Sequence, residues 1–426
     1  MKVEVITIGD ELLIGQTIDT NSAWMAKKLN AIGLKINRIN SIADTEAAII
    51  NTLEEVEKRS SIILITGGLG PTKDDITKST LCKFFKTKLL RNQFVLERIE
   101  KYFLERGREI LESNRSQADL PENCTILTND LGTASGMWFE RNGVIFVSMP
   151  GVPYEMKGLM EKQVLPRLKS RFNLPYMYHK TIMTEGIGES FLAKKVEKWE
   201  SQLHPQGIDI AYLPSPGIVK VRLSVEGKDE PTILKGKVDR QLIAFKKLAG
   251  EYVFGEDDIR PEEAIAVELN KLGKTIVTAE SCTGGNIARL LTSVAGSSAY
   301  FLGSVITYTN QLKSKLLQVK EEDLKKYGAV SKSVVTQMAE GAREHLDSDY
   351  ALATSGIAGP DGGSEEKPVG TVWIALASKK GTIAKKFNFE KSRERNITRA
   401  SLAALSLLRR VLNGSIKIDE ETKSLV

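Results

Sequence analysis

Two distant stretches of this chain share one local pattern: a short apolar run ends in paired glycines and gives way to a helix. Ser61–Thr66 (SIILIT) runs into Gly67–Asp75 (GGLGPTKDD) and then a helical stretch from about Asp75 to Phe84. Lys274–Thr278 runs into Thr278–Gly285 (TAESCTGG), which again opens a helix. A compact apolar run bounded by glycine reads as a buried strand. Strands alternating with helices require a parallel sheet covered by helices, because each crossover must return over a sheet face. Ligands of such sheets bind at the carboxyl ends of the strands, where these glycine turns fall.

The same alternation fills most of the chain. Strands are expected at Val3–Ile8, His179–Thr184, Ile218–Val225, Tyr350–Thr354 and Gly370–Ala377, with another ending at Tyr308. Helices are expected at Asn21–Leu29, from Pro153 to Arg171, and at Glu189–Trp199, Pro261–Leu272, Ser331–His345 and Arg393–Leu412. The last of these stops at Asn413-Gly414. At 426 residues the chain exceeds the size of a single core. The reading is an α/β protein with an N-terminal, open, mostly parallel sheet with helices on both faces over 1–172. A small α+β middle unit over 173–252 and a C-terminal α/β domain over 259–412 follow, then a polar tail, 413–426, expected to fray.

Composition excludes several classes. The 41% hydrophobic content supports buried cores without staples, and three cysteines at irregular spacing fit neither a disulfide framework nor a zinc site. Sixty basic against 54 acidic residues make a mixed surface rather than a nucleic-acid track. No apolar run approaches the roughly 20 residues of a membrane helix. The first residues, MKVEVITIGDE, turn acidic too soon for a secretory leader. A soluble, cytoplasmic protein is expected.

In the C-terminal region, Ser281 sits at a strand-to-helix turn, where backbone N–H groups can stabilise negative charge. Gly284 and Gly285 let a substrate approach the backbone. The same octapeptide also reads as a plain helix cap. A nucleophilic serine needs a base, and none of the three histidines (His179, His204, His345) lies in a glycine-rich or polar motif. A lysine with a depressed pKa is the alternative activator. Tyr308-Thr-Asn310-Gln-Leu-Lys313 offers one, although a solvated lysine is the commoner meaning of such a string. Thr354–Gly363 (TSGIAGPDGG) is a strand entering a loop rich in glycine that can present backbone donors to a phosphate or carboxamide. Arg393, Arg395 and Arg399 open the last helix, and one or more of them could clamp a phosphate.

TAESCTGG, the YxNxxK string, SGIAGPDGG and KPVGTVW (Lys367–Trp373), in this order and spacing, resemble the C-terminal domain of the CinA family, the nicotinamide-nucleotide amidases. The resemblance implies Ser281 as nucleophile, Lys313 as its base and Tyr308 as a supporting hydrogen-bonding group. It implies hydrolysis of the carboxamide of nicotinamide mononucleotide to nicotinate mononucleotide and ammonia, in pyridine-nucleotide salvage and without a cofactor. Thr283, Gly284, Gly285, Asn310, Ser355, Gly356, Gly359, Gly362, Arg393 and Arg399 are the expected substrate-binding positions. Backbone N–H groups of Thr283 to Gly285 are the expected oxyanion hole.

In the N-terminal region, Asp10-Glu11, the Thr66–Asp75 loop and Met149–Met156 (MPGVPYEM) resemble the molybdopterin-binding fold of the MoaB and MogA proteins and of the CinA N-terminal domain. The middle unit then resembles the KH-type insertion of full-length CinA proteins. For this domain the resemblance implies a metal-dependent ADP-ribose pyrophosphatase. Asp10, Asp74 and Asp75 would serve a divalent metal such as Mg²⁺. Gly67, Gly68, Gly70, Thr72, Gly132 and Thr133 would lie around the nucleotide phosphates. Helix capping by Asp74 or Asp75 is the competing structural role. The family's NPxGTAPG loop reads NDLGTASG here (Asn129–Gly136), so Asp130 and Ser135 replace stiffening prolines. A competence- or DNA-damage-linked binding protein is the alternative function. Neither a GxxG clamp in 173–252 nor a basic stripe favours it, so nucleic acid is not an expected partner. Small nucleotides are the expected ligands, and a homodimer the expected assembly.

Overall fold

The computed structural model describes residues 1–72 and 75–418, and it separates into two compact units. The first comprises Met1–Tyr178 with Glu226–Pro231; the second comprises His179–Val225 and the chain from Thr232 onward.

In the first unit, β1 (Val3–Ile8), β2 (Ile36–Ile42) and β3 (Ile62–Thr66) form the start of a parallel sheet. A short ribbon pairs β4 (Leu89–Arg91) with β5 (Asp119–Pro121). Then come β6 (Thr125–Leu127), β7 (Gly136–Arg141) and β8 (Val144–Met149). The six-stranded sheet has the order β2-β1-β3-β8-β7-β6. β2, β1, β3 and β8 run parallel, and the edge strands β7 and β6 antiparallel. All five residues of β3 are buried, as its unbroken apolar run demands when both faces are covered. One core lies against each face, the first around Ile63, Ile65 and Phe146, the second around Ile62, Leu64 and Val147. β1 holds one charge, Glu4, 2% exposed. Arg59, followed by Ser60 and Asn40, hydrogen-bonds its carboxylate and holds it at about 2, so the charge is paired rather than stranded.

In the second unit, β9 (Tyr176–Glu185), β10 (Ile208–Ser215), β11 (Ile218–Gly227) and β12 (Val253–Glu256) form a sheet of order β10-β11-β9-β12. The helices Glu189–Glu200 and Pro231–Ala249 accompany it. β13 (Ile276–Glu280), β14 (Phe301–Ile306), β15 (Tyr350–Gly356), β16 (Thr371–Ser378) and β17 (Gly381–Asn388) make a second sheet, ordered β14-β13-β15-β16-β17. β14, β13 and β15 are parallel, whereas β16 and β17 are antiparallel. The Pro261–Leu272 and Arg393–Leu412 helices pack on one face through Leu269, Leu405 and Leu408. The Lys332–His345 helix packs on the other through Val334, Met338 and Ala342.

Residues named as element ends shift slightly from the sequence reading. β13 runs two residues beyond Thr278, and β14 ends two before Tyr308. Tyr308 therefore lies in a loop. The last helix keeps its expected bounds, with Gly414 at φ +77° just beyond Asn413. Of the expected polar tail, 413–418 is described; 419–426 lies outside the described residues. No helix among the described residues is long and apolar enough to cross a membrane.

Candidate functional site

In the second unit, β13 has β14 on one side and β15 on the other, so the chain reverses its winding direction there. The crevice at the carboxyl end of such a strand is the natural binding position in an open α/β sheet. Ser281 follows β13 directly, Thr307 and Tyr308 follow β14, and Ser355 and Gly356 end β15.

Lys313 belongs to the Asn310–Leu317 helix, whose N-cap Thr309 accepts the Leu312 N–H. That helix turns Lys313 inward until it is 1% exposed. Its Nζ lies 3.1 Å from Ser281 Oγ and donates to the Thr307 carbonyl at 2.8 Å. No carboxylate pairs with it among the described residues. An ammonium without a counter-ion pays several kcal/mol for leaving water, and burial accordingly pushes Lys313 below the usual lysine range. The neutral amine is a proton acceptor at hydrogen-bonding distance from a serine hydroxyl.

Glu280, fully buried and absent from the expected site, organises the turn that holds Ser281. Its carboxylate accepts the N–H groups of Gly285 at 3.0 Å, Ile287 at 3.1 Å and Ala288 at 2.8 Å. The helix N-terminus is therefore satisfied from within the fold. This changes the expected oxyanion hole. Gly285 N–H is held by Glu280, and Gly284 N–H by the Ser281 carbonyl at 3.1 Å. The Thr283 N–H is left. The Thr283 hydroxyl meets that of Thr354 at 2.7 Å, and Ser281 N–H donates to the Thr354 carbonyl at 3.1 Å, fixing the turn to β15. Gly284 and Gly285 have φ of +60° and +95°, values that side chains other than glycine's rarely tolerate. A Cβ on Gly285 would also meet Ile306 at 3.0 Å. The carboxylate one residue before the serine was the available sequence signal for Glu280.

Tyr308 does not reach the serine–lysine pair by hydrogen bonding. Its hydroxyl, in a side chain 56% exposed, accepts from Arg393 Nη2 at 3.0 Å, and Arg393 Nη1 donates to the Gly359 carbonyl at 2.9 Å. The structure thus separates the three arginines that sequence could not distinguish. Arg393 joins the β14 and β15 loops, whereas Arg395 and Arg399 both turn to Glu390. Ser355 donates its hydroxyl to Ala329 at 2.7 Å, a role in tying down β15. A Cβ on Gly356 would meet the Thr371 carbonyl at 2.8 Å, a packing constraint rather than an opening for ligand. Asn310 and Gly362 are exposed.

The first unit has the same switch at β1, between β2 and β3. Its carboxyl edge forms a hollow of about 110 Å³ bordered by Thr7, Glu11, Asn21, Thr66 and Gly151. Asn21 Nδ2 donates to Gly151 at 2.8 Å, and its buried Oδ1 has no partner among the described residues. Gly67 and Gly68 have φ of +114° and +64°, and a Cβ on Gly67 would lie 2.1 Å from the Ile8 carbonyl. Asp75 accepts from Gly70 N–H at 2.7 Å and Thr72 N–H at 3.0 Å, and also from the Thr72 hydroxyl. Asp75 therefore braces the Gly70–Thr72 loop rather than capping the next helix, Thr77–Phe84, whose N-cap is Ile76 with no side-chain cap. Asp10 accepts the Asp44 N–H at 3.3 Å, and Asp74 lies outside the described residues. No group of three or more His, Cys, Asp or Glu side chains suited to a metal occurs among the described residues, which leave out Asp74; Asp10 and Asp75 remain as two carboxylates that could hold a divalent cation together with substrate phosphates.

Gly132 and Thr133 sit in a loop clamped by residues that sequence did not single out. Arg98 donates to the carbonyls of Asn129 and of Gly132, the latter at 3.1 Å. Asn129 Nδ2 donates to Glu155 at 2.5 Å, and a Cβ on Gly132 would fall 2.2 Å from that carboxyl group. Burial raises the Glu155 pKa. Asp130, in place of a proline, pairs with Lys162 at 2.7 Å.

Family models match along the whole chain: "Probable molybdopterin binding domain" over residues 4–170, "Damage-inducible protein CinA KH domain" over 179–255 and "CinA C-terminal domain" over 259–412. A CinA-like protein of Cytophaga hutchinsonii is 47% identical over 409 residues, covering 96% of this chain and 97% of its own. Another, from Flavobacterium psychrophilum, is 44% identical over 413 residues, covering 96% of this chain and 98% of its own. The crystal structure of the competence/damage inducible protein CihA from Agrobacterium tumefaciens is 40% identical, covers 36% of this chain and 93% of its own, and superposes with a TM-score of 0.35. With near-complete coverage by relatives of this identity, the chain belongs to the CinA family, with a molybdopterin-binding-type N-terminal domain, a KH domain and a CinA C-terminal domain.

Proposed function

We propose that the C-terminal domain hydrolyses the carboxamide of nicotinamide mononucleotide to nicotinate mononucleotide and ammonia. The observation that carries this reading is the buried Lys313 amine 3.1 Å from Ser281 Oγ, at the switch point of a parallel sheet. Neutral Lys313 takes the Ser281 proton as Oγ attacks the carboxamide carbon. The developing oxyanion faces the Thr283 N–H, and Lys313 returns the proton to the departing nitrogen, which leaves as ammonia. Water, losing its proton to Lys313, then cleaves the acyl-serine ester; the carboxylate product departs and Ser281 regains its hydrogen. Arg393, with Tyr308 fixing its guanidinium, is the phosphate clamp in this scheme. These steps use only side chains and backbone of the domain.

Ammonia release from nicotinamide mononucleotide, measured with a chelator present, tests the reading. Wild type should release it and Ser281→Ala and Lys313→Ala should not. No release by wild type, or full activity of Ser281→Ala, would overturn it. In that event a competence- or damage-linked binding role becomes the leading account, and a DNA shift assay over a salt series addresses it.

For the N-terminal domain we infer a nucleotide site at the β1–β3 edge, supported by the unpartnered Asn21 Oδ1 and the close-packed Gly67 turn. Metal-dependent ADP-ribose pyrophosphatase activity is the corresponding proposal. Its assay is AMP formation from ADP-ribose with and without Mg²⁺. Assembly as a cytoplasmic homodimer is likewise a proposal, which sedimentation tests for the dimer and cell fractionation for the location.

A further inference from the structure

The last helix carries a stripe that the proposed amide chemistry does not use. Arg399, Leu402, Ala403, Ser406 and Arg410 recur at helical spacing and face a cavity of about 540 Å³ within the second unit. Its other walls are β17 with Phe389, the turn at 214–219 between β10 and β11, and the Glu185–Glu189 loop that leads into the Glu189–Glu200 helix. The volume falls inside the roughly 300–1,000 Å³ typical of small-molecule sites.

The walls specify the chemistry of an occupant. Lys385, Phe387 and Phe389 project to one face because strand side chains alternate. The two phenyl rings are parallel to within 9°, with centroids 5.7 Å apart, and remain half-buried, a shelf suited to a planar ring. Lys385 has no hydrogen bond or ion pair among the described residues, and burial followed by the nearby Arg410 charge lowers its pKa. Arg410 gives Nη2 to Glu251, while its buried Nε has no partner. Of the two acids bordering the cavity, Glu185 is neutralised by Arg409 at 2.6 Å, and Glu189 lies exposed at the rim. The cavity thus combines an apolar shelf with one cation, Lys385, that has no hydrogen bond or ion pair among the described residues, the Arg399 and Arg410 charges being met by Glu390 and Glu251. An anion alone leaves the shelf unfilled, and a neutral ring leaves Lys385 unmet.

We propose that this cavity binds a small aromatic anion of mononucleotide size, its ring on Phe387 and Phe389 and its anionic group at Lys385. The site rests on different residues from the Ser281–Lys313 pair and stands whether or not the amidase reading does.

Photolabelling of the full chain with 8-azido-AMP, followed by peptide mapping, tests it. Saturable labelling within 185–190, 214–219, 385–389 or 399–410, blocked by AMP, is expected. Half-saturation should weaken by about tenfold or more in Lys385→Glu and in Phe387→Ala, with the unfolding temperature of Lys385→Glu unchanged. Block by inorganic phosphate as effective as by AMP would overturn the ring assignment, and equal block by adenosine would overturn the anion. Labelling confined to other segments, or unaltered by Lys385→Glu, would overturn the site. If Phe387→Ala fails to fold, Lys385→Glu alone decides, because among the described residues the Lys385 side chain makes no hydrogen bond or ion pair whose loss would disturb the fold.

Discussion

The first unit and the C-terminal part of the second wind their sheets alike: the first strand is central, the second lies to one side and the third to the other. At the carboxyl edge of both, glycines with positive φ bring the backbone close to whatever binds. They differ in how their polar groups are satisfied. In the N-terminal edge, Asp75 and Asn129 turn back on their own loops, and Arg98 reaches across from the Gln93–Leu104 helix, so that Gly70–Thr72 and Asn129–Ala134 are held in place. In the C-terminal edge that duty falls to Glu280, one residue away from the chemistry, which leaves Ser281 and Lys313 facing each other with no carboxylate between them. A shared winding therefore places a crevice. Which carboxylate supports the loops decides whether a reactive pair remains in it.

Four measurements would break or sharpen this contrast. The largest effect is expected for Lys313→Ala and Ser281→Ala, each lowering ammonia release by about a thousandfold or more while the N-terminal domain is untouched. Near-normal turnover in Lys313→Ala would remove the reactive pair from the contrast. Next, Glu280→Gln replaces a carboxylate that accepts three N–H groups with a weaker and partly donating amide. A fall of about 10- to 100-fold in kcat with little change in KM is expected, since the nucleophile is misplaced but the phosphate clamp is kept. An effect on KM alone would make Glu280 a binding residue instead.

The third concerns pH. Lys313 must be neutral to accept a proton, and burial lowers its pKa below 10.5, so log kcat/KM should rise with unit slope as pH increases and level off before 10.5. A profile still climbing beyond that value would mean an unburied lysine. The smallest effect is for Asp75→Ala, which frees the Gly70 and Thr72 N–H groups in a partly solvated loop. A loss of about 0.5–2 kcal/mol in denaturant stability of the first unit is expected, with ammonia release unchanged. Any loss of ammonia release would show that the two edges are not independent.

Much of the fold was legible because its signals are local. The Val3–Ile8 and Ile62–Thr66 strands are short runs dominated by β-branched residues, interrupted only by Glu4 and Leu64, and Arg393–Leu412 keeps a helical apolar period up to its Asn-Gly stop. Ser281 and Lys313 were legible through motifs with fixed spacing. Glu280 and Glu155 were hidden in plain view within those motifs, because a carboxylate's role depends on which N–H groups it meets. Arg98 carried no motif at all. Tyr308 and the three arginines of the last helix show the same limit from the other side. Residue type suggested a contact, but only the loop geometry sent Arg393 to Tyr308 and Gly359, and Arg399 to Glu390.

The amino-acid order by itself determined the strand–helix alternation, the glycine turns and the serine–lysine spacing, since each depends on steric preference or periodicity over a few residues. Tertiary structure alone decided that Lys313 loses its water, that Glu280 rather than the substrate occupies the helix N–H groups, and that Arg399 turns from the serine crevice to another cavity. Those outcomes depend on burial and on donor–acceptor distances between segments far apart in the chain, quantities that come into being only when the sheet closes around them.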